Sequence, residues 1–377
     1  MSNMTFCCPC LFGIEGILGD ELRRMGAANV QVQTGRVLFT GDFSMMARVN
    51  IQSRYAERVQ LLMGTFRAVT FEQLFEGTKA LPWERFIGKT DRFPVKGWSL
   101  NSTLHSVPDC QSIVKKAVVE RLKAHYGVGW FEESGALFQI QVTILKDEVS
   151  LLIDTTGAGL HKRGYRANAG EAPIKETLAA AIADVMRARF AEQVCDPCCG
   201  SGTLLIEAAL AARRIAPGVR RRFAAMNWGC VPAGCFEEER AYAKSLERPE
   251  QEITLWGGDI DADCIRLAEE NADKAGVGDC LLTDLVNLKD FVPRGESGLV
   301  LCNPPYGERL LDRQAAEELY RVMGQVFVQK PGWSYGIITA DETFEEHFGR
   351  PADKRRKLYN GMLKCQLYMY FSPRAKK

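Results

Sequence analysis

The sequence predicts an α/β fold in which a doubly wound, mostly parallel sheet with a C-terminal antiparallel hairpin follows a smaller α+β region. Strand-like and helix-like segments alternate regularly from Gln193 onward, which is typical of a parallel sheet with helices on both faces. Asn360-Gly361, between two strand-like runs near the C-terminus, indicates a tight hairpin. Because 377 residues exceed what one core usually holds, we expect more than one domain.

The first half of the chain alternates short strands with amphipathic helices. Residues 1–65 are predicted to form one small α+β unit, and residues 66–157 repeat the pattern, with a hairpin turn at Lys146-Asp147. Residues 158–172 are rich in glycine, alanine and basic side chains, as expected of a linker. An alanine-rich helix follows the linker and opens the α/β domain of residues 173–377.

The composition, 46% hydrophobic and 25% charged, is that of a globular protein. We find no apolar run long enough to span a membrane and no signal peptide, and we expect a cytoplasmic protein. An odd number of cysteines, 13, favours reduced thiols over a disulfide framework. The close pairs Cys7/Cys10 and Cys195/Cys198 lack a histidine at zinc-finger spacing, so we expect no metal site.

The net charge of +1 conceals two basic clusters. The first cluster lies between residues 350 and 377, which contain nine Lys or Arg residues and a single acid, Asp353. The second consists of five arginines between residues 213 and 222. Together they favour a polyanionic partner such as a nucleic acid.

The first candidate motif runs from Asp196 to Thr203, where the first strand of the α/β domain turns into a helix. In a doubly wound sheet this is where ligands bind, and Gly200 and Gly202 allow the backbone to approach a ligand closely. The loop lacks the third glycine of a dinucleotide fingerprint and the Gly-Lys-Ser/Thr of a phosphate-binding loop. It indicates either a cofactor site of another kind or a turn with a purely structural role.

Carboxylates follow the next two strands. Asp259, with Asp261 as the alternative, is expected to accept hydrogen bonds from both hydroxyls of a ribose, although a helix N-cap is the other role open to Asp261. Asp284 is placed to accept from the amino group of an adenine, although by itself it also fits an ordinary loop aspartate. Taken with the glycine loop, these positions indicate an adenosine-containing cofactor.

The third motif is Asn303-Pro304-Pro305-Tyr306, directly after an apolar strand. The Asn303 side-chain oxygen and the Pro304 carbonyl can accept both hydrogens of an amino group conjugated to a ring. The ring of Tyr306 offers a face on which a base can stack. The motif predicts chemistry on an exocyclic amine of a nucleobase.

These motifs resemble those of class I methyltransferases that carry Asn-Pro-Pro-Tyr, and more closely the bacterial THUMP-domain RNA methyltransferases similar to the large-subunit ribosomal RNA guanine-N2 methyltransferase. The resemblance spans nearly the whole chain and includes residues 161–166, 172–178 and 355–361. It implies a ferredoxin-like unit, a THUMP RNA-binding domain, a basic linker and a Rossmann-like methyltransferase domain, with the boundaries given above.

The resemblance also implies the cofactor, S-adenosylmethionine, and the site residues. Cofactor contacts would come from Asp196, Cys198, Gly200, Gly202, Thr177, Leu178, Asp259, Ile260, Asp284 and Asn303. Catalytic positions would be Asn303, Pro304 and Tyr306. RNA contacts would come from Lys162, Arg163, Arg166, Arg355, Arg356 and Lys357.

The expected substrate is RNA, with guanine N2 of 23S ribosomal RNA as the first choice. An adenine-N6 DNA methyltransferase uses the same chemistry on another polymer, and methylation of a glutamine amide uses the same Asn-Pro-Pro-Tyr geometry. A non-catalytic RNA-binding assembly factor with a relic cofactor site is the alternative of another class. The sequence gives no indication of the oligomeric state.

Overall fold

The computed structural model describes residues 3–166, 174–305, 313–328 and 330–372. The chain divides into two compact units, each built from separate stretches of sequence. The first unit consists of Met1–Pro9, Gly19–Leu160 and Arg221–Tyr242. The second unit consists of Cys10–Leu18, His161–Arg220 and Ala243–Lys377.

Strands and helices alternate along most of the chain. The strands are β1 (Met4–Pro9), β2 (Ala28–Gln33), β3 (Arg36–Gly41), β4 (Gln60–Arg67), β5 (Val95–Leu100), β6 (Ile140–Leu145), β7 (Glu148–Asp154), β8 (Gln193–Asp196), β9 (Thr254–Asp259), β10 (Leu281–Leu285), β11 (Gly298–Cys302), β12 (Trp333–Thr339), β13 (Lys354–Asn360) and β14 (Leu363–Tyr370). The helices are α1 (Glu15–Arg24), α2 (Phe43–Gln52), α3 (Phe71–Lys79), α4 (Val107–Tyr126), α5 (Glu176–Val185), α6 (Thr203–Ala212), α7 (Cys235–Ser245), α8 (Ala262–Ala275), α9 (Arg313–Val326) and α10 (Phe344–Phe348). Among the described residues, none of the helices is both long and apolar enough to cross a membrane.

One continuous sheet organises the first unit, with strand order β2-β3-β1-β4-β7-β6-β5. Strand β4 joins its two halves, because it pairs antiparallel with β1 on one side and with β7 on the other. The turn Lys146-Asp147 connects β6 and β7 as predicted, and both residues adopt the positive φ angles that a type I′ turn requires.

A later segment of the chain, residues 221–242, completes the first unit, and we call it the excursion. Its residues were predicted to belong to the α/β domain, but they pack in the first unit. The ring of Trp228 stacks on Phe138 with centroids 4.3 Å apart, and its Nε1 donates to the carbonyl of Leu137 over 3.0 Å. No pattern in the sequence predicts this excursion.

The second unit contains the doubly wound sheet, in the order β10-β9-β8-β11-β12-β14-β13. Pairing is parallel from β10 to β12, and the pairs that β14 makes with β12 and β13 are antiparallel. Strand order reverses between β8 and β11, which makes the carboxyl ends of these strands the switch point where ligands bind. This confirms the predicted fold class, including the C-terminal hairpin.

Candidate active site

The loop after β8 is tied to the neighbouring strand and to itself. The buried carboxylate of Asp196 accepts a hydrogen bond from the amide of Cys198 over 3.1 Å. The amide of Cys199 donates to the carbonyl of Gly258 at the end of β9, and the amide of Gly202 donates back to Cys199. These bonds fix a compact turn at the switch point of the sheet.

Both glycines of this loop adopt backbone angles that L side chains rarely take, with φ of +51° at Gly200 and +74° at Gly202. A Cβ at Gly202 would come within 3.1 Å of Ala268, so close packing also requires glycine there. A Cβ at Gly200 would meet nothing within 4 Å. The space beside Gly200 is therefore open, as a loop that lies against a cofactor needs.

Asp259 links the glycine loop to the second strand. Its two carboxylate oxygens accept from the amides of Gly200, over 2.9 Å, and Asp261, over 3.1 Å. Each oxygen keeps a lone pair with which it can accept from a ribose hydroxyl. Asp261 caps helix α8 by accepting from the amide of Asp263, so the alternative candidate has a structural role.

The neighbouring side chains at this end of the sheet are exposed and include apolar ones. Asp284 lies in β10, where one carboxylate oxygen accepts from Trp256 Nε1 over 2.6 Å and from Arg294 over 2.9 Å. Ile260 is 71% exposed and Leu285 is 64% exposed, directly after Asp259 and Asp284. Exposed apolar side chains next to hydrogen-bond acceptors suit a flat heterocycle such as adenine.

Asn303 directly follows β11, and its side-chain oxygen is buried without a hydrogen-bond partner in the described part of the chain. Leaving such an acceptor unpaired costs about 1–3 kcal/mol, so the arrangement fits a donor that arrives with a ligand. Pro304 is buried beside it. Tyr306 lies outside the described residues.

Burial of Asp196 raises its pKa to about 8, and the nearby Asp259 contributes in the same direction, while the amide of Cys198 lowers it. A positively charged group at this loop would stabilise the carboxylate and offset that burial. The sulfonium and ammonium groups of S-adenosylmethionine carry such charges. The loop thus fits this cofactor in shape and in charge.

Helix α5 begins beside the glycine loop. Thr177 and Leu178, both predicted cofactor contacts, are fully buried in its first turn. Arg166 connects the two elements, because it forms an ion pair with Glu176 over 3.2 Å and donates to the hydroxyl of Thr203 over 3.4 Å. Whether Thr177 and Leu178 contact the cofactor stays a prediction.

Arg163 requires a correction. We predicted an RNA contact, but only 2% of its side chain is exposed and it forms an ion pair with the buried Glu207 over 3.3 Å. The hydroxyl of Tyr165 donates to the same carboxylate. Arg166, with 12% of its side chain exposed, is occupied in the same way by Glu176. A guanidinium held in a buried ion pair is not free to bind phosphate, so both residues support the fold.

The remaining predicted RNA contacts are more accessible. Lys162 and Lys357 are exposed. Arg355 is exposed as well but is ion-paired with an acidic side chain of α10, and Arg356 donates to the carbonyl of Gly13. Lys162, Lys357 and Arg355 stay candidates for RNA contact, whereas Arg356 has a structural partner.

The arginines between residues 213 and 222 also divide by environment. Arg213 forms an ion pair with Asp279, Arg220 donates to a backbone carbonyl of α8, and Arg221 is buried and donates to two backbone carbonyls. Arg222 is exposed. Much of this basic run therefore serves the fold.

Four charged or aromatic residues around the site are not predicted by any sequence motif above, namely Glu176, Glu207, Trp256 and Arg294. Glu207 gave a detectable signal, since it interrupts the apolar run of α6 and an acid inside such a run requires a partner. The other three have no motif. In the described part of the chain no cluster of three or more His, Cys, Asp or Glu could hold a metal ion, and every cysteine there is a free thiol.

Comparison with known families gives three matches along the chain. An RMKL-like methyltransferase domain matches residues 163–369, an RlmL ferredoxin-like domain matches residues 5–60, and a THUMP domain matches residues 68–154. The first match alone covers more than half of the chain.

Two curated relatives are similar over nearly the whole chain. A Bacillus subtilis protein with the provisional name RNA methyltransferase YpsC is 42% identical over 100% of this chain and 99% of its own. The ribosomal RNA large subunit methyltransferase K/L of Psychromonas ingrahamii is 32% identical over 97% of this chain. The present chain covers 50% of that relative, so it spans about half the length of the K/L protein.

Two solved structures have the same fold throughout. A Listeria monocytogenes protein, described as a predicted N6-adenine-specific DNA methylase, is 46% identical with a TM-score of 0.92, covering 99% of this chain and 97% of its own. SMU.472, provisionally described as a methyltransferase, was solved with S-adenosylhomocysteine; it is 40% identical with a TM-score of 0.93, covering 100% of both chains. The chain thus belongs to the RMKL-like methyltransferase family, and S-adenosylmethionine is its methyl donor.

Proposed function

We propose that the protein methylates an exocyclic amino group of a base in RNA, with guanine N2 of 23S ribosomal RNA as the substrate. The observation that carries the proposal is the buried oxygen of Asn303 at the carboxyl end of β11, which has no hydrogen-bond partner among the described residues. It stands where an arriving amino group would find an acceptor. The THUMP match and the names of two relatives support RNA as the polymer.

Asn303 and Pro304 position the amine in this proposal. The Asn303 side-chain oxygen and the Pro304 carbonyl accept its two hydrogens, which directs the nitrogen lone pair at the methyl carbon. The new N–C bond forms as the C–S bond breaks, with its electron pair passing to sulfur, and the surplus proton leaves to water. Neither residue bonds covalently to the substrate, so the catalytic contribution is alignment of the reacting atoms.

A cysteine nucleophile, as pyrimidine C5 methylation requires, does not fit this site. Cys302 precedes Asn303, but its side chain is fully buried. Burial raises its pKa well above the ordinary value, and the nearby Cys198 and Asp196 add to the effect. Because the thiolate is the nucleophile, these surroundings disfavour covalent attack by Cys302.

The test is incubation of the purified protein with radiolabelled S-adenosylmethionine and either unmodified 23S ribosomal RNA or unmethylated duplex DNA. We expect label in N2-methylguanosine after nucleoside chromatography of the RNA. Label in N6-methyladenine of DNA would favour the function named for the Listeria relative. Cofactor binding without transfer to any RNA would favour a non-catalytic assembly factor.

A further inference from the structure

The first unit contains a wide, open cleft of about 570 Å³. Four stretches of chain that are separated in sequence line it. They are Arg92, residues 135–137, residues 156–158, and residues 222–227 of the excursion. The lining includes Arg92, Ala136, Gly157, Arg222, Ala224 and Asn227.

Two arginines carry the charge of this cleft, and no acid lines it among the described residues. The nearest acids in sequence are already engaged. Asp91 accepts from two backbone amides, Glu133 pairs with Lys115, and Asp154 pairs with Arg58. The lining itself carries two positive charges, beside the carboxylate of Asp91, which accepts from the amide of the lining residue Ala136.

The backbone presents Arg222 to solvent. Its neighbour Arg221 is buried and donates to the carbonyls of residues 158 and 160, while Phe223 is buried and stacks on Phe236. The amide of Ala224 donates to the Thr156 carbonyl. With both neighbours fixed, the exposed side chain of Arg222 makes no hydrogen bond or ion pair within the part of the chain that the structure describes.

Arg92 is partly held in place and partly available. Its Nε donates to the carbonyl of Gly135 over 3.0 Å, and its own amide donates to the carbonyl of Ala136. These bonds fix the base of the side chain at the cleft, while the two terminal nitrogens keep their donors. A guanidinium with free donors, held in a defined place, matches the geometry of a phosphate group.

We propose that this cleft binds the phosphodiester backbone of the RNA substrate, with Arg92 and Arg222 each contacting a phosphate. The proposal rests on RNA being the substrate. The open shape suits a polymer that enters and leaves the cleft, and the exposed amide of Asn227 adds a donor for phosphate or ribose oxygens. Such contacts position the RNA and carry no sequence information.

The experiment measures binding of unmodified 23S ribosomal RNA transcript to the full chain at several salt concentrations. We expect the double variant Arg92→Gln with Arg222→Gln to bind roughly 10-fold more weakly at moderate salt. Its plot of log affinity against log salt should be flatter by about one unit for each lost phosphate contact. Arg222→Lys should keep the salt dependence of the wild type, because it keeps the charge.

A matched control removes the same charge elsewhere on the first unit. Arg24 and Lys116 are exposed and do not line the cleft, so Arg24→Gln with Lys116→Gln should bind RNA as the wild type does. Urea titration followed by circular dichroism should give the same unfolding curve for all variants as for the wild type, which shows that the first unit of each is folded. Equal RNA affinity and salt dependence in the wild type and the cleft variant would overturn the proposed role of the cleft and leave the proposed function intact. A wild type that binds no RNA would overturn the proposed function with it.

Discussion

Charged residues serve opposite purposes around the glycine loop of the second unit and around the cleft of the first. Beside the loop, Arg163, Glu176 and Glu207 are buried. Arg163 forms an ion pair with Glu207, and Glu176 forms one with Arg166. In the cleft, Arg92 and Arg222 are exposed, and no acid is among the described lining residues.

The contrast shows why a basic run in the sequence does not by itself identify an RNA contact. Residues 161–166 and 213–222 are both basic runs in the sequence. In the structure, Arg163 and Arg221 are buried, whereas Lys162 and Arg222 are exposed. Adjacent residues of similar charge therefore take different roles. Burial and partners, rather than charge alone, decide which residue remains free for a phosphate.

The largest expected effect concerns the buried ion pair between Arg163 and Glu207. Arg163→Ala should lower the free energy of unfolding by about 3–5 kcal/mol, because it leaves Glu207 buried and uncompensated. Lys162→Ala, one residue away and exposed, should change it by less than about 0.5 kcal/mol. Urea titration followed by circular dichroism measures both.

The pair of charges can also be removed together. Arg163→Met combined with Glu207→Leu and Tyr165→Phe should recover most of the stability that Arg163→Ala loses, since no buried polar group of this cluster is then left without its partner. A stable Arg163→Ala protein would mean that the guanidinium is not needed to balance Glu207, and the contrast with Lys162 would disappear.

The second expected effect concerns Asn303. Asn303→Ala should lower turnover by on the order of 100-fold, because alignment of the amine is lost in the transition state. Its affinity for S-adenosylhomocysteine and its free energy of unfolding should stay close to those of the wild type, because the deleted oxygen has no partner among the described residues. Single-turnover kinetics and calorimetry separate the two quantities.

Asp259→Ala is the matched control for Asn303→Ala, because it should lower cofactor affinity, which Asn303→Ala should leave unchanged. It removes the acceptor for the amides of Gly200 and Asp261, so cofactor affinity should fall by about 1–3 kcal/mol. Normal methyl transfer by Asn303→Ala would contradict the amine-positioning role. Unchanged cofactor affinity in Asp259→Ala would contradict the placement of the cofactor.

The smallest expected effect, counted per pH unit, is a pH dependence. The pKa of Asp196 is raised from 3.8 to about 8, so the folded protein holds a proton that the unfolded chain releases between these values. This contribution to stability is complete below pH 3.8 and is lost as the pH rises through about 8. Asp196→Asn should therefore gain stability relative to the wild type by up to about 1.4 kcal/mol per pH unit.

Urea titrations of both proteins without cofactor, from pH 6 to pH 8.5, measure this difference. Asp154 and Glu176 also have raised pKa values through burial, but they are present in both proteins and cancel. A stability difference that does not vary with pH would show that Asp196 is already ionised in the folded state.

The sequence was sufficient to predict the topology of the second sheet and the main residues of its site. Alternating elements gave the doubly wound class, and motif residues at successive strand ends, Asp196, Asp259 and Asn303, lie at the carboxyl ends of β8, β9 and β11 in the structure. Strand ends meet at one edge of a parallel sheet, so a local pattern predicts a tertiary arrangement.

Partners that are distant in sequence were beyond prediction. Arg163 pairs with Glu207 across 44 positions, and Trp256 donates to Asp284 across 28. Neither spacing has a motif, because such pairs depend on how whole helices and strands pack. The same reason hid the excursion of residues 221–242, whose local pattern is that of any short helical segment.

The excursion has a consequence for how the chain is made. Synthesis proceeds from the N-terminus, and domains often fold as they emerge from the ribosome. In this chain, Trp228 covers a surface around Phe138 in the first unit. That surface stays uncovered until His161–Arg220, which belongs to the second unit, has been synthesised. The unit that begins to emerge first therefore cannot be completed until much of the second has been translated, and a nascent chain that stops at Leu160 carries an uncovered aromatic surface.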